Sequence, residues 1–258
     1  MCEFEVAFDT PTSWHCPQSK MAQVKRSIDL VVFGGGGFIG SAILREAAKR
    51  GLSSIPVGRN VSTTKLSCDK VHVGNALDPT TYEDLLEQTR CVVVTIGSPP
   101  IPWPLNPLSK EEIVKYNGDC CCVPIEVAAR KGVENIILIN ASMPKMMSFL
   151  VPGYYEGKMM GRKTCKEVSE KYPHINVSVL KPGVVHTNER FDRAPTFILG
   201  PIGKLLVSSF GQTLTKVLNK MLPFVFKGLL VPPVEVNDLA VEVLDNYASN
   251  SGDDKKKI

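Results

Sequence analysis

Long apolar runs are missing from this sequence: no stretch approaches the roughly 18 to 20 uninterrupted apolar residues of a membrane-spanning helix, so no span is expected. Charge of one sign is missing too. The 30 basic and 26 acidic residues leave a net charge of +4, too slight and too evenly spread for the footprint that nucleic acid requires. That excludes a nucleic-acid partner and leaves a neutral-to-anionic small molecule as the better expectation. Histidine is scarce, and His15, His72, His174 and His186 lack ligand spacing, so they read as surface or hydrogen-bonded core residues and no metal site is expected. The eight cysteines (Cys2, Cys16, Cys68, Cys91, Cys120, Cys121, Cys122 and Cys165) form no CxxC pair and no repeating frame. This excludes a disulfide scaffold and predicts reduced, mostly buried thiols in an intracellular compartment. A secretory pattern is absent as well, because Glu3, Glu5 and Asp9 interrupt the N-terminus before any apolar run develops. Those acids also argue against an organellar presequence, while Lys20, Lys25 and Arg26 leave that point open.

What is present is enough apolar material for a large core: 258 residues, 43% of them hydrophobic. Residues 1–27 carry Pro11 and Pro17 among scattered polar groups, which predicts a poorly ordered extension. The domain proper is expected over 28–250, followed by a charged tail over 251–258. Short β-branched runs then alternate with helical periodicity. Strands are expected over 28–33, 55–57, 92–96, 135–140 and 177–180, and helices over 41–49, 85–89, 111–131 and 155–171. Such alternation predicts βαβ units, a doubly wound parallel sheet with helices on both faces, and a small C-terminal lobe over the sheet edge.

Residues 194–234 contain no acid, while Lys204, Lys216, Lys220 and Lys227 punctuate an apolar run. Val207, Phe210, Leu214, Val217, Leu218, Met221 and Val225 fall at helical spacing. Two readings stand for 203–227: a helix packed on the core with its lysines in water, or a basic amphipathic surface for a membrane or a partner complex.

Chemistry enters at VVFGGGGFIGSAILREAAKRG, residues 31–51, where a strand, a glycine turn and a helix follow in that order. Gly34, Gly37 and Gly40 satisfy GxxGxxG; Gly35, Gly37 and Gly40 satisfy GxGxxG, and both registers stand. Either provides a tight turn, backbone N–H groups close to a pyrophosphate, and close helix-to-strand packing. Gly34, Gly35, Gly36, Gly37, Phe38, Ile39 and Gly40 are therefore the expected phosphate cradle, with the helix dipole adding its positive end near Phe38. A fold of this kind that selects NAD usually places an acid about 20 residues beyond the motif. Here SIPVGRN, residues 54–60, has none and carries Arg59 instead. A guanidinium fork suits a 2′-phosphate, so NADP(H) is favoured over NAD(H); the same arginine also reads as a solvated side chain.

The glycine motif, VGNALDP (73–79), VVVTIGS (92–98), YNGDCCCVPIEVAARKGVENIILINAS (116–142), YYEGK (154–158), LKPGVV (180–185) and VPPVEVNDLA (231–240) together resemble the extended and atypical short-chain dehydrogenase/reductases. Spacing and a Pro-rich middle look most similar to the branch holding the nucleotide-binding accessory subunit of respiratory complex I and a mitochondrial protein of coenzyme Q biosynthesis. The resemblance implies a Tyr-x-x-x-Lys pair on one helix face, matched by Tyr154 and Lys158, where the lysine and the nicotinamide lower the tyrosine pKa for proton transfer. It implies a serine at the end of the preceding strand. The usual positions hold Asn140 and Ala141, with Ser142 one step later, 12 residues before Tyr154. It further implies Asn75 and Ala76 beside the adenine, Ile96 and Gly97 along the cofactor's middle, Lys158 also at the nicotinamide ribose, and Pro182 and Gly183 closing the substrate side. Asn117 falls where the family often keeps an asparagine.

Two functions from different classes follow. One is an NADP(H)-dependent oxidoreductase acting on a small or quinone-like substrate in mitochondrial quinone metabolism. The other is a cofactor-binding accessory or assembly subunit with little turnover, for which the dinucleotide stabilises the fold by mass action. The resemblance implies a mitochondrial location, with cytoplasm or plastid as alternatives.

Overall fold

A computed structural model describes residues 26–60, 68, 70–102, 105–143, 147–183, 185–187 and 234–251. Within them a six-stranded, wholly parallel sheet runs in the order β3-β2-β1-β4-β5-β6. Its strands are β1 (Ile28–Phe33), β2 (Ser54–Gly58), β3 (His72–Val73), β4 (Thr89–Val94), β5 (Asn135–Ile139) and β6 (Asn176–Leu180). The central strands are apolar almost throughout because both their faces are covered. On one face Val31, Phe33, Val92, Val94, Ile136 and Leu138 join a core under α2 (Glu83–Glu87), α4 (Cys120–Arg130) and α6 (Pro152–Lys171). On the other, Leu30, Val32, Cys91, Val93, Ile137 and Ile139 pack beneath α1 (Phe38–Lys49) and α7 (Val236–Ser251). The doubly wound α/β sheet expected from the sequence is thus the fold observed.

Strand order reverses between β1 and β4, which sit side by side with Val31 opposite Val92. Ligands in open α/β sheets bind at the carboxyl ends of the strands flanking such a switch.

Several elements depart from their sequence expectations for identifiable reasons. Helix α1 starts at Phe38 rather than 41, because Gly37 serves as its N-cap. Thr89, expected to end a helix, instead opens β4 opposite Ile28, and its hydroxyl donates back to Leu85 O at 2.8 Å. Residues 111–131 are divided: α3 (Lys110–Val114), a π-helical turn at Lys115–Asp119, then α4. The Ser109 hydroxyl and the Glu112 carboxylate cap α3 reciprocally. A short α5 (Met147–Leu150) precedes α6, and the two-residue strands β7 (Val185–His186) and β8 (Val234–Glu235) pair in parallel. Glu235 then accepts the N–H groups of Asn237 and Asp238 at the start of α7.

Among the described residues, Arg26 ties the start of the chain to the sheet by donating to Thr89 O and Gly132 O. Residues 1–25, the 203–227 segment, any small lobe within 188–233, and the tail over 252–258 lie outside the described residues. Cys91, Cys120, Cys121 and Cys165 are buried thiols outside any disulfide, as expected of core thiols. Among the described residues no helix is long and apolar enough to cross a membrane, and no cluster could hold a metal ion.

Candidate functional site

The turn from β1 into α1 is built by backbone contact. Gly34 has φ +82°, and a Cβ there would stand 2.8 Å from Thr95 Oγ1, a conformation and a space that only glycine fits. A Cβ on Gly40 would strike Gly34 O and come within 2.7 Å of Gly35 Cα, so the first turn of α1 lies directly on the turn preceding it. Gly35 is pinned from outside, because a Cβ on it would reach Pro56 Cβ at 2.5 Å. Gly36 differs from these: nothing lies within 4 Å of its would-be Cβ, so protein packing does not explain a glycine at this position. Gly36 and Gly37 are exposed, whereas Phe38 and Ile39 are half-buried. No side chain caps α1 and no acid stands in its first turn, which leaves the positive end of the helix dipole unopposed.

On one side of this turn lie the ends of β2 and β3. Arg59 follows β2, exposed, with its guanidinium carbon 5.8 Å from the centroid of the Tyr116 ring. Asn75 and Ala76 follow β3. The Asn75 backbone N–H donates to Thr81 Oγ1 at 3.0 Å and its side-chain oxygen accepts from Leu77 N at 3.2 Å. Ala76 is buried, and its carbonyl accepts from the Tyr82 hydroxyl at 3.1 Å.

On the other side, the end of β4 meets α6 and the π turn. A Cβ on Gly97 would lie 2.8 Å from Asn117 Oδ1 and 3.2 Å from Lys158 Nζ, so the three residues converge on one spot. Asn117 is buried and fully engaged: Oδ1 accepts from Ser98 N (3.2 Å), and Nδ2 donates to Ser98 Oγ (2.7 Å) and Ile113 O (2.9 Å). Ile96 O accepts from the buried Cys121 thiol at 3.3 Å. The approach of α6 depends on Gly153 and Gly157, one turn apart. A Cβ on the first would stand 2.8 Å from Lys110 O, and on the second 2.8 Å from Asn117 Cβ.

Tyr154 and Lys158 share that face, with the ammonium 5.6 Å from the phenol ring centroid. Lys158 is buried, and among the described residues no carboxylate pairs with it. Burial lowers its pKa below the usual lysine value, and the nearby Arg162 cation acts in the same direction. Burial pushes the Tyr154 phenol up to about 12, with Cys121 adding slightly. In the chain alone, then, desolvation raises the phenol and opposes its ionisation.

The floor between β5 and β6 is a polar clamp. Asn140 Nδ2 donates to Lys158 O at 2.9 Å, while Asn140 Oδ1 accepts from Ala141 N (2.8 Å) and Arg162 Nε (3.2 Å). Arg162 also donates to Ala141 O. Ser142 N donates to Pro182 O at 2.9 Å, joining the loop after β5 to the segment of Pro182 and Gly183. The Ser142 hydroxyl makes no hydrogen bond among the described residues. The structure thus gathers the expected residues at one sheet edge. It adds four that sequence reasoning passed over as site residues: Tyr116, Cys121, Asn140 as a clamp, and Arg162. Only Arg162 carried a readable signal, standing one helical turn beyond Lys158.

The sequence matches the NAD dependent epimerase/dehydratase family over residues 30–199. An uncharacterized chloroplastic protein of Arabidopsis thaliana is 30% identical over 254 residues, which is 95% of this chain and 79% of that protein. Among solved structures, the UDP-glucose 4-epimerase of Thermus thermophilus, in complex with NAD, aligns with a TM-score of 0.60 at 15% identity. That alignment covers 84% of this chain and 73% of the epimerase. The UDP-glucose 4-epimerase of Thermotoga maritima, with UDP-glucose, gives 0.57 at 15% identity over 69% of this chain, which spans 63% of that protein's length. At these identities the likeness to the epimerases is one of fold.

Proposed function

The chain belongs to the NAD dependent epimerase/dehydratase family, and from that premise we propose that it binds a nicotinamide dinucleotide, NADP(H) before NAD(H), as an oxidoreductase. Its substrate is a small carbonyl or hydroxyl compound, with quinone-like molecules the class implied by the sequence resemblance. The single observation carrying this reading is the juxtaposition of a glycine cradle with the convergence of Gly97, Asn117 and Lys158. The open space over Gly36 and the uncapped α1 terminus fit a diphosphate. Gly34 to Gly40 would hold it, with Arg59 taking the 2′-phosphate, Asn75 and Ala76 beside the adenine, and Ile96 and Gly97 along the middle. Lys158 would take the nicotinamide ribose, and Pro182 and Gly183 would close the substrate side.

When bound, the nicotinamide exchanges a hydride with the substrate carbon. The chain's residues do the rest. Tyr154, its phenol raised further by burial, is the acid that donates a proton to the substrate oxygen, or accepts one in the reverse direction. The Lys158 cation, 5.6 Å from the ring, favours the phenolate left behind. Ser142, its hydroxyl uncommitted among the described residues, orients the substrate oxygen. NADPH oxidation with quinone-like and β-keto substrates tests this. Tyr154→Phe is expected to cut turnover by about a hundredfold or more with dinucleotide affinity kept; full turnover in that variant would refute the role.

One observation favours a second reading, that of a cofactor-binding accessory subunit. The strand-end positions usual for the family's serine hold Asn140 and Ala141, and Arg162 occupies their polar atoms. NADPH binding without turnover of any such substrate is the outcome that selects it. As to compartment, the Arabidopsis relative's chloroplastic description supports an organelle, and fractionation separates plastid from mitochondrion and cytosol.

A further inference from the structure

We infer that Tyr116 is a specificity-determining residue for the dinucleotide, the platform that holds the Arg59 guanidinium where a 2′-phosphate is bound. This rests on the NADP(H) reading above and adds a residue to it.

An exposed arginine at a strand end is a poor anion receptor by itself. Fixing its side chain costs rotamer entropy, which weakens any contact it makes. Arg59 is that kind of residue, exposed just beyond β2. Its guanidinium carbon nevertheless stands 5.8 Å from the Tyr116 centroid, within the range of about 6 Å at which a ring face attracts a cation. The ring itself is fixed, because Tyr116 is half-buried and packed against the core under α2, α4 and α6. Core packing positions the ring, and the ring positions the guanidinium.

Two further facts favour an anion as the third member. Among the described residues no carboxylate pairs with Arg59, so its donor fork is uncommitted while its face is held. The charges flanking Tyr116 on its own turn, Lys115 and Asp119, are of opposite sign and largely offset each other. Tyr116 shares the π turn with Asn117, whose oxygen lies against the Gly97 position next to Lys158. One short segment therefore touches the adenosine-phosphate side and the nicotinamide side of the cleft.

Calorimetric Kd values for NADPH and NADH, measured on the full chain, test the assignment. The parent should bind NADPH more tightly, and Tyr116→Phe should keep the NADPH/NADH preference because it keeps the ring face. Tyr116→Leu should lower that preference about two- to fivefold with the Kd for NADH unchanged, since NADH carries no 2′-phosphate. Equal weakening of both nucleotides, or an unchanged preference in Tyr116→Leu while Arg59→Ala abolishes it, overturns the inference and leaves the NADP(H) reading intact. Equal parent affinities, or no effect of Arg59→Ala, overturn the NADP(H) reading and the inference with it. If Tyr116→Leu does not fold, Tyr116→Met carries the same expectations with more of the buried volume retained.

Discussion

Replacing Gly40 with alanine adds one methyl group at the point where α1 rests on the turn before it. That methyl would strike Gly34 O and lie 2.7 Å from Gly35 Cα and 2.9 Å from Gly34 C. All three are backbone atoms, so no side chain can swing aside and the helix must lift from the turn. Overpacking of this kind costs about 1–3 kcal/mol, and the better helix propensity of alanine returns about 1 kcal/mol. The apo protein is thus expected to lose between roughly 0 and 2 kcal/mol, a fall in Tm of at most about 8 °C for a chain of this size. Nucleotide affinity should suffer more, because the amides of Gly37, Phe38 and Ile39 lose their aim together. The loss of even one charge-assisted hydrogen bond, about 1.5–3 kcal/mol, corresponds to roughly ten- to hundredfold in Kd. Gly36→Ala separates the two effects: its methyl meets no protein atom within 4 Å, so Tm should stay put while NADPH affinity falls. Calorimetric titration alongside thermal unfolding without nucleotide reads both quantities. Parent-like NADPH affinity in Gly40→Ala would refute the argument that this turn is shaped for a diphosphate.

Lys158→Met should raise the Tm of the nucleotide-free protein near pH 7 while reducing turnover by about a hundredfold or more. The native lysine has a pKa below 10.5, so between that lowered value and 10.5 the unfolded chain binds more protons and parent stability climbs with pH. The variant's advantage should shrink as pH approaches 10.5; a Met variant less stable than the parent at pH 7 contradicts this. Asn140→Ala removes the partner of Ala141 N, Arg162 Nε and Lys158 O, and should cost roughly 1–3 kcal/mol, seen as a lower urea midpoint at unchanged m-value; an unaltered midpoint would show that the clamp holds nothing. Arg59→Ala should narrow the NADPH/NADH preference by roughly tenfold or more, with NADH binding as the internal control.

The parts of the fold that could be read from sequence are those where one residue type leaves few options. Strand β1 was expected over 28–33 and is observed there, because IDLVVF is bounded by a polar N-terminal flank and a glycine block. The GGGGFIG segment announced a close helix-to-strand contact for the same reason, since Gly34 and Gly40 sit where side chains cannot. The π turn was not legible. One inserted residue in a helix changes neither composition nor apolar spacing enough to stand out, yet the turn holds both Tyr116 and Asn117. Strand β3 is only His72–Val73, too short for alternation to register. The Asn140–Arg162 clamp joins residues 22 apart in sequence, and only the docking of α6 on β5 reveals it.

The pairing of β7 with β8 sets a design rule for this chain. His186 lies beside Glu235, so two stretches far apart in sequence are pinned together there, and α7 is seated by Glu235 immediately afterwards. Helix α7 then delivers Val236, Leu239, Ala240, Val243 and Leu244 to the layer shared with α1, so the two-residue β7–β8 ladder fixes where that layer begins.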